Sequence, residues 1–371
     1  MCLSDIITDL WDYLKSTDRP IALYGTGDGA DKIIAALKSK GLFERVRAVF
    51  ASDGFVRDRS FAGFKVRSYS DVVSEFGEDG FIALLCFGSS RPEVLETING
   101  IARKTELYAP DVPVCGGGLF DMEYFMANKP RLEKVYGLLE DQASRKCFAD
   151  SIRFKLSGDI RYLDISVSSE DEEFDLLPDI DGAFIDLGAY NGDTLARYLE
   201  RYPEITSACA VEPERHSYKK LCQAADLLTE KTGKKIDLYN ALIGDREGPA
   251  TLTSSHGRGT RNAAGCGMGA GITDPSGMTK TEQVTIDRIS ESLGRVGFIK
   301  FDVEGEECAA LSGGMRTIIK DRPSLKIASY HRNCDLFAIP EKVLSTGVPY
   351  KIYLRRLRGV PCWDLDYYFI S

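Results

Sequence analysis

The residues of this chain that could do chemistry fall at a few short stretches that each follow an apolar, β-prone run. Asp186 follows Phe184-Ile185, Glu212 follows Ala208–Val211, and Lys300, Asp302 and Glu304 stand in or just after Phe298–Val303. His331 follows Leu325–Tyr330. In an open α/β sheet ligands bind beyond the carboxyl ends of the strands, so these side chains are expected to converge. What they would share is acidity. A carboxylate at Glu212 can accept two hydrogen bonds from ribose hydroxyls. A pyrophosphate would be repelled by Asp186, Asp193, Glu212, Asp302 and Glu304, and the Lys-Ser/Thr pair of a triphosphate loop is missing. A cationic, phosphate-free nucleoside cofactor suits such a site, and S-adenosylmethionine meets each demand.

The element that must position them is residues 184–194, Phe-Ile-Asp-Leu-Gly-Ala-Tyr-Asn-Gly-Asp-Thr. An apolar run enters an acid, Gly188 and Gly192 bracket a turn, and a helical pattern opens at Thr194 with Leu195, Tyr198, Leu199 and Tyr202. Glycines let the backbone turn tightly and let a ligand approach it, while the helix start offers unpaired N–H groups. Around this turn the second half reads as strands and helices in alternation: Ser207–Val211, a helix over 216–230, a strand over 236–243, then Ala250–Thr253. Residues 254–278 are Gly- and Ser-rich, a mobile lid or simple disorder. Order resumes at Val284–Ile289, followed by a strand over 298–303, a helix over 306–319 and a strand over 325–330. Tyr350–Arg355 and Tyr367–Ile370 are expected to pair antiparallel at the sheet edge.

The first half repeats the pattern. A short helix over 3–15 precedes the strand Ile21–Tyr24. The turn Gly25-Thr26-Gly27-Asp28-Gly29-Ala30 follows, then a helix with Ile33, Ile34 and Leu37. Strands at Val46–Phe50, Phe64–Val66 and Phe81–Phe87 alternate with helices from Ser70 and over Glu93–Ile101. Gly25, Gly27 and Ala30 fit a dinucleotide fingerprint, with Asp53 at a ribose distance. An isolated match of this kind also arises where a tight turn only packs a helix on a strand. Helices over 119–127 and 131–155 connect the halves, and the acidic run Ser168–Glu173 reads as a solvated loop. The expectation is an α/β chain with two doubly wound units. The first covers 1–115, a helical connector 116–178, and a nucleotide-binding sheet with an antiparallel C-terminal strand pair 179–371.

The chain has 371 residues, 43% apolar and 28% charged, which is ordinary for a globular protein. A net charge of −9 speaks against a non-specific nucleic-acid binder. No apolar run reaches the ~20 residues of a membrane helix, and the start lacks a signal-peptide pattern. The ten cysteines form no C-x-x-C pair and sit mostly in apolar stretches, as reduced buried thiols do. These features point to a cytoplasmic protein with no nucleic-acid or membrane partner, and a homo-oligomer is compatible with them.

Four ordered motifs carry a resemblance. They are Ile185–Thr194, then Ala210-Val211-Glu212-Pro213, then Phe298–Glu306, then Arg322-Pro323 with Tyr330-His331. From about 183 to 371 the chain resembles the FkbM-type methyltransferases, and residues 20–150 resemble the nucleotide-fold domain that precedes some members. The resemblance implies S-adenosylmethionine-dependent O-methylation of a hydroxyl on a sugar, glycan or secondary metabolite. It places Asp186, Gly188, Ala189, Tyr190, Asn191, Gly192 and Thr194 around the methionine side, Glu212 and Pro213 at the ribose, and Asn240, Ala241 and Leu242 beside adenine. Asp302 borders the cofactor. The general base is His331 as first choice, whose unperturbed pKa lies near neutrality, with Asp302 or Glu304 second; Lys300 completes the catalytic set. No metal-site spacing is evident. The rival readings are an NAD-dependent sugar-nucleotide oxidoreductase or epimerase built on Gly25–Ala30, and a binding module without catalysis.

Overall fold

The computed structural model describes residues 8–116, 118–254, 260–262 and 278–371. The first sheet uses β1 (Ile21–Tyr24), β2 (Val46–Ala51), β3 (Ser60–Phe61), β4 (Phe64–Ser68), β5 (Ile82–Leu85) and β6 (Leu107–Tyr108). Its order is β3-β4-β2-β1-β5-β6. All neighbours run parallel except the β3–β4 hairpin. Helices α1 (Leu10–Lys15), α2 (Asp28–Ser39), α3 (Tyr69–Phe76) and α4 (Pro92–Ala102) accompany it. α1 starts at Leu10 because Asp9 caps it, accepting from the amides of Trp11 and Asp12; the earlier part of the expected 3–15 helix lies outside the described residues up to position 7.

The connector holds α5 (Met122–Leu138), α6 (Gln142–Ser157), α7 (Arg161–Ile165) and α8 (Glu170–Leu176). Two expectations change here. The break between the long helices falls at 139–141, where Asp141 caps α6 by accepting from Ser144 N. The acidic run is a helix rather than a loop. Ser169 and Glu172 form a reciprocal capping box, and acids in a first turn complement the helix dipole. Its Glu173 is buried and pairs with Lys326 at 2.9 Å.

The last sheet uses β7 (Gly182–Leu187), β8 (Ile205–Val211), β9 (Lys235–Tyr239), β14 (Val296–Phe301), β15 (Ser324–Ala328), β16 (Lys351–Arg356) and β17 (Leu365–Ile370). The order is β16-β17-β15-β14-β7-β8-β9. β17 runs antiparallel to both neighbours. The C-terminal pair is therefore present, but β17 lies inside the sheet and β16 alone takes the edge. Between β9 and β14 the chain leaves this sheet for a smaller one made of β10 (Leu242–Ile243), β11 (Gly248–Ser254), β12 (Thr260–Asn262) and β13 (Met278–Val284). The strand expected over 236–243 is thus split at Asn240-Ala241. Most of the Gly-rich 254–278 stretch lies outside the described residues.

Around the sheet lie α9 (Asp193–Arg201), α10 (Arg215–Thr232), α11 (Ile286–Ser290), α12 (Glu307–Ser312), α13 (Met315–Asp321) and α14 (Asp335–Leu344). Gly313-Gly314 divides the expected 306–319 helix into α12 and α13. A Cβ at Gly313 would lie 2.1 Å from the Gly244 carbonyl oxygen, so the close approach requires glycine. α14, with Pro340 inside it, was not anticipated.

Because strand side chains alternate, each sheet buries both faces. One face of each joins a continuous apolar core through α5 and α6. It includes Tyr24, Phe50 and Phe81 from the first sheet, Phe125 and Phe148 from the helices, and Ile185, Ile299 and Tyr367 from the last. The two halves also meet through backbone. Ser89 and Val360 exchange hydrogen bonds of 2.7 and 3.0 Å, and Cys115 N donates to the His331 carbonyl at 2.8 Å. The first sheet is thereby docked at the carboxyl edge of the last one. Among the described residues no helix is long and apolar enough to cross a membrane.

Candidate active site

β7 ends at Leu187, and Gly188 turns away with φ +78°. A Cβ there would fall 1.9 Å from the Asp302 carbonyl oxygen. The turn is held by Gly188 N and Ala189 N, which donate to the Val211 carbonyl at 2.9 and 3.0 Å, and by Gly192 N to the Ala189 carbonyl at 2.8 Å. Gly192 caps α9 in the left-handed region, with the helix running from Asp193. Asp193 accepts from Thr194 N, and Asn191 Oδ1 accepts from Asp193 N. Tyr190 also has a positive φ, +48°, and leaves its side chain 55% exposed.

Asp186 and Lys300 are register partners on β7 and β14. Asp186 is fully buried, and no hydrogen bond of good geometry reaches either of its oxygens. Lys300 Nζ lies 3.4 Å from Asp186 Oδ1 and 3.7 Å from Asp302 Oδ2, and donates to the Gly188 carbonyl at 3.1 Å. Burial pushes the Asp186 carboxyl above its ordinary range, and Lys300 pulls it part of the way back. Burial works against the Lys300 charge, but Asp186 and Asp302 outweigh it and hold the ammonium above its usual range. For Asp302 the desolvation is outweighed by Lys300 and His331, which hold the carboxyl below its usual range.

Glu212 ties the first two turns together. Its Oε2 accepts from Tyr190 N at 2.9 Å and its Oε1 from Glu214 N at 2.7 Å. Burial raises it to about 7 in spite of these bonds. Asn240 Nδ2 donates to the carbonyls of Glu212 and Pro213 at 2.9 and 3.1 Å, fixing the exit of β8. Ala241 and Leu242 are buried where the chain changes sheet. Beside them opens a cavity of about 640 Å3 lined by Pro213, Arg215, Asn240, Leu252 and Thr281. The small sheet thus walls one end of the site, a role the sequence pattern did not signal.

At the other end, Tyr330 OH donates to Asp302 Oδ1 at 3.2 Å. His331 is 1% exposed, with Nδ1 2.8 Å from Glu307 Oε1. Its Nε2 lies 3.5 Å from Asp302 Oδ1 and 3.8 Å from Glu304 Oε2. Burial alone would lower its pKa, but Glu307 first, then Asp302 and Glu304, raise it to about 10. The acids on both sides of the ring therefore favour its charged form. Tyr330 stood in the fourth motif without a role assigned to it, and Glu307 was not singled out, although it stands in the same Asp302–Glu307 stretch and could have been weighed with it.

The structure therefore gathers Asp186, Gly188, Lys300, Asp302, Glu304 and His331 into one network, with Ala189–Thr194 along its turn. Glu212, Pro213 and Asn240–Leu242 lie next to it through the Tyr190 amide. The fingerprint turn of the first sheet is not part of it. There Asp53 accepts from Ser70 N at 3.0 Å, and a Cβ at Gly25 would meet the Phe87 ring at 2.5 Å. The β5 exit is covered by the β16–β17 loop, whose Trp363 ring lies against Gly88. Among the described residues no group of three or more His, Cys, Asp or Glu is arranged to hold a metal ion.

A crystal structure of the methyltransferase FkbM from Methylobacillus flagellatus KT shares this fold over nearly the whole chain. The TM-score is 0.71 at 18% identity, covering 99% of this chain and 95% of that one. Two further solved structures overlap it more loosely. An rRNA methylase from Streptococcus thermophilus gives a TM-score of 0.32 at 13% identity over 54% of this chain and 92% of that one. A SAM dependent methyltransferase from Aquifex aeolicus gives 0.29 at 10% identity over 62% and 98%. Scores that low carry neither fold nor function across. No curated protein matches the chain in sequence. The model of the methyltransferase FkbM domain matches residues 186–343, from the acid at the end of β7 to the last turn of α14. Over residues 186–343 this chain is thus similar to the methyltransferase FkbM domain.

Proposed function

We propose that the chain uses S-adenosylmethionine to methylate a hydroxyl on a sugar, glycan or secondary metabolite. The observation that carries the cofactor is the donor set at the β7 edge. Asp186 is a fully buried acid whose oxygens receive no hydrogen bond of good geometry and whose counter-charge is Lys300 at 3.4 Å, and Gly188 lets the turn pack directly on the Asp302 backbone, where no side chain would fit. An acid-rich niche next to that turn suits a ligand with ammonium and sulfonium charges and no phosphate. Asp186 and Gly188–Thr194 would hold the methionine portion, Glu212 the ribose, and Asn240–Leu242 with the neighbouring cavity the adenine.

When bound, the cofactor supplies an electrophilic methyl carbon on sulfur. The transfer breaks that carbon–sulfur bond and forms a carbon–oxygen bond, and the hydroxyl proton must leave. Asp302 is the base in this reading. Its side chain is 37% exposed, it faces the same edge, and Tyr330, Lys300 and His331 fix its orientation. Held below the usual carboxylate range, it is ionised at neutral pH and a weak base. The chain's main contribution is alignment of the two reactants, an effect worth up to ~7–11 kcal/mol in well-oriented models. The test is tritium transfer from labelled S-adenosylmethionine to a panel of methyl glycosides and phenolic alcohols. Label in a base-stable ether is expected. Cofactor binding with label in none of these alcohols would remove the O-methylation reading.

A further inference from the structure

The turn after β14 carries two successive residues with positive φ. Glu304 has φ +56° and Gly305 φ +95°. A non-glycine residue in this region persists only where its surroundings fix it. Glu307, at the start of α12, provides that fixation from a position no substrate can reach, its side chain being 1% exposed. One oxygen does the work: Oε1 accepts from Val303 N at 3.1 Å and from Gly305 N at 3.4 Å, and lies 2.8 Å from His331 Nδ1. The opposite nitrogen of the same imidazole, Nε2, faces Asp302 and Glu304 at 3.5 and 3.8 Å. The ring thus bridges a buried acid on one side and two partly exposed acids on the other. We infer that Glu307 is a positioning residue of the transfer site: through the Val303 and Gly305 amides it fixes the 302–305 turn, and through His331 it orients the carboxylates of Asp302 and Glu304.

This rests on the methyltransferase reading for its meaning, but not for its geometry. Acids on both sides favour the charged ring, and burial with partners at both nitrogens holds it in place. The groups facing it are Asp302 and Glu304 on the turn, Glu307 on α12, and Asp335 on α14, with the Tyr330 ring tilted against it at 4.2 Å and Arg332 following in the chain. Asp335 is itself raised to about 7 by burial and accepts from Arg332 N at 2.7 Å. It is therefore a weaker counter-charge to the ring than Glu307.

The experiment is 15N imidazole spectroscopy on the full chain, with His331 identified among the three histidines by H331Q. The wild-type His331 ring is expected to remain protonated, with both nitrogens bearing hydrogen, across about pH 6 to 9. E307Q is expected to bring its titration down toward neutrality while S-adenosylhomocysteine affinity stays essentially unchanged. In the tritium assay E307Q should lower kcat by about 100-fold, the scale of a small misplacement of reacting groups, with KM for S-adenosylmethionine unaffected. E307D, which keeps the charge, should restore the protonated ring and recover part of kcat, and it replaces E307Q if that variant does not fold. A wild-type ring that titrates near its ordinary pKa, or one indifferent to E307Q, overturns the inference. Absence of transfer to any glycoside would count against the acceptor class alone, because the spectroscopic arm still decides the role of Glu307.

Discussion

Lys300 and Asp186 are direct cross-strand partners on β14 and β7, with Nζ 3.4 Å from Oδ1, and both lie out of solvent. The same ammonium reaches the Gly188 carbonyl and Asp302. One lysine thereby offsets two acids at the centre of the site and holds the glycine turn against the strand. Removing one partner of a buried ion pair leaves an uncompensated charge, which costs ~3–5 kcal/mol. K300M should therefore lose stability on that scale in urea unfolding. D186N, which leaves Lys300 still facing Asp302, should lose less while weakening S-adenosylhomocysteine binding. Equal stability losses in the two variants would show that Lys300 is not the shared counter-charge.

Gly188 admits no side chain. G188A combines a left-handed backbone with a methyl group driven onto the Asp302 carbonyl. The expected cost is roughly 2–4 kcal/mol from the two effects together. Any folded G188A should have lost cofactor affinity, because the Gly188–Thr194 turn proposed to hold the methionine portion is pushed off β14. Calorimetry and thermal unfolding on the same sample check both halves of that statement.

Glu212 makes cofactor binding depend on pH. Its carboxyl titrates at about 7 in the folded chain because it is buried, and it accepts ribose hydroxyls best when ionised. Affinity for S-adenosylhomocysteine should therefore rise as pH increases through about 7, and E212Q should flatten that slope. The same shift acts on stability in the opposite sense. A carboxyl raised above its unfolded value favours the folded state below about 4.5, and this contribution is lost as pH rises through about 7.

His331 contributes a second pH window. Its pKa is raised from 6.5 to about 10, so its charge stabilises the fold fully below about 6.5, and that contribution is lost as pH climbs through about 10. Denaturation of wild type and H331Q should show a stability gap at neutral pH that narrows by about pH 10. A gap independent of pH would mean that packing, not charge, is what the imidazole supplies.

Much of this arrangement was legible from local pattern. The strand–turn–helix at 184–194 is written in an apolar run, two glycines and a 3.6-residue repeat, and those signals act over a few residues. Asp186, Asp302 and Glu304 could be collected because strand ends share one edge. What the pattern did not show was set by distant partners. His331 reads as a base by its ordinary pKa, yet its pKa is raised because Glu307, 24 residues earlier, packs against it. Residues 168–173 read as solvated by charge density, yet a capping box makes them helical and Glu173 turns inward to meet Lys326. The position of β17 inside the sheet depends on β15 as a neighbour, which no run of the last twenty residues could reveal.

The claim on which the rest depends is that the carboxyl edge of β7, β8 and β14 receives an S-adenosyl cofactor. Isothermal titration of the full chain with S-adenosylhomocysteine, with NAD in a parallel cell, tests it most directly. The account predicts one saturable site for S-adenosylhomocysteine that G188A abolishes, and no binding of NAD. Heat from NAD alone, or S-adenosylhomocysteine binding that survives in G188A, would contradict it.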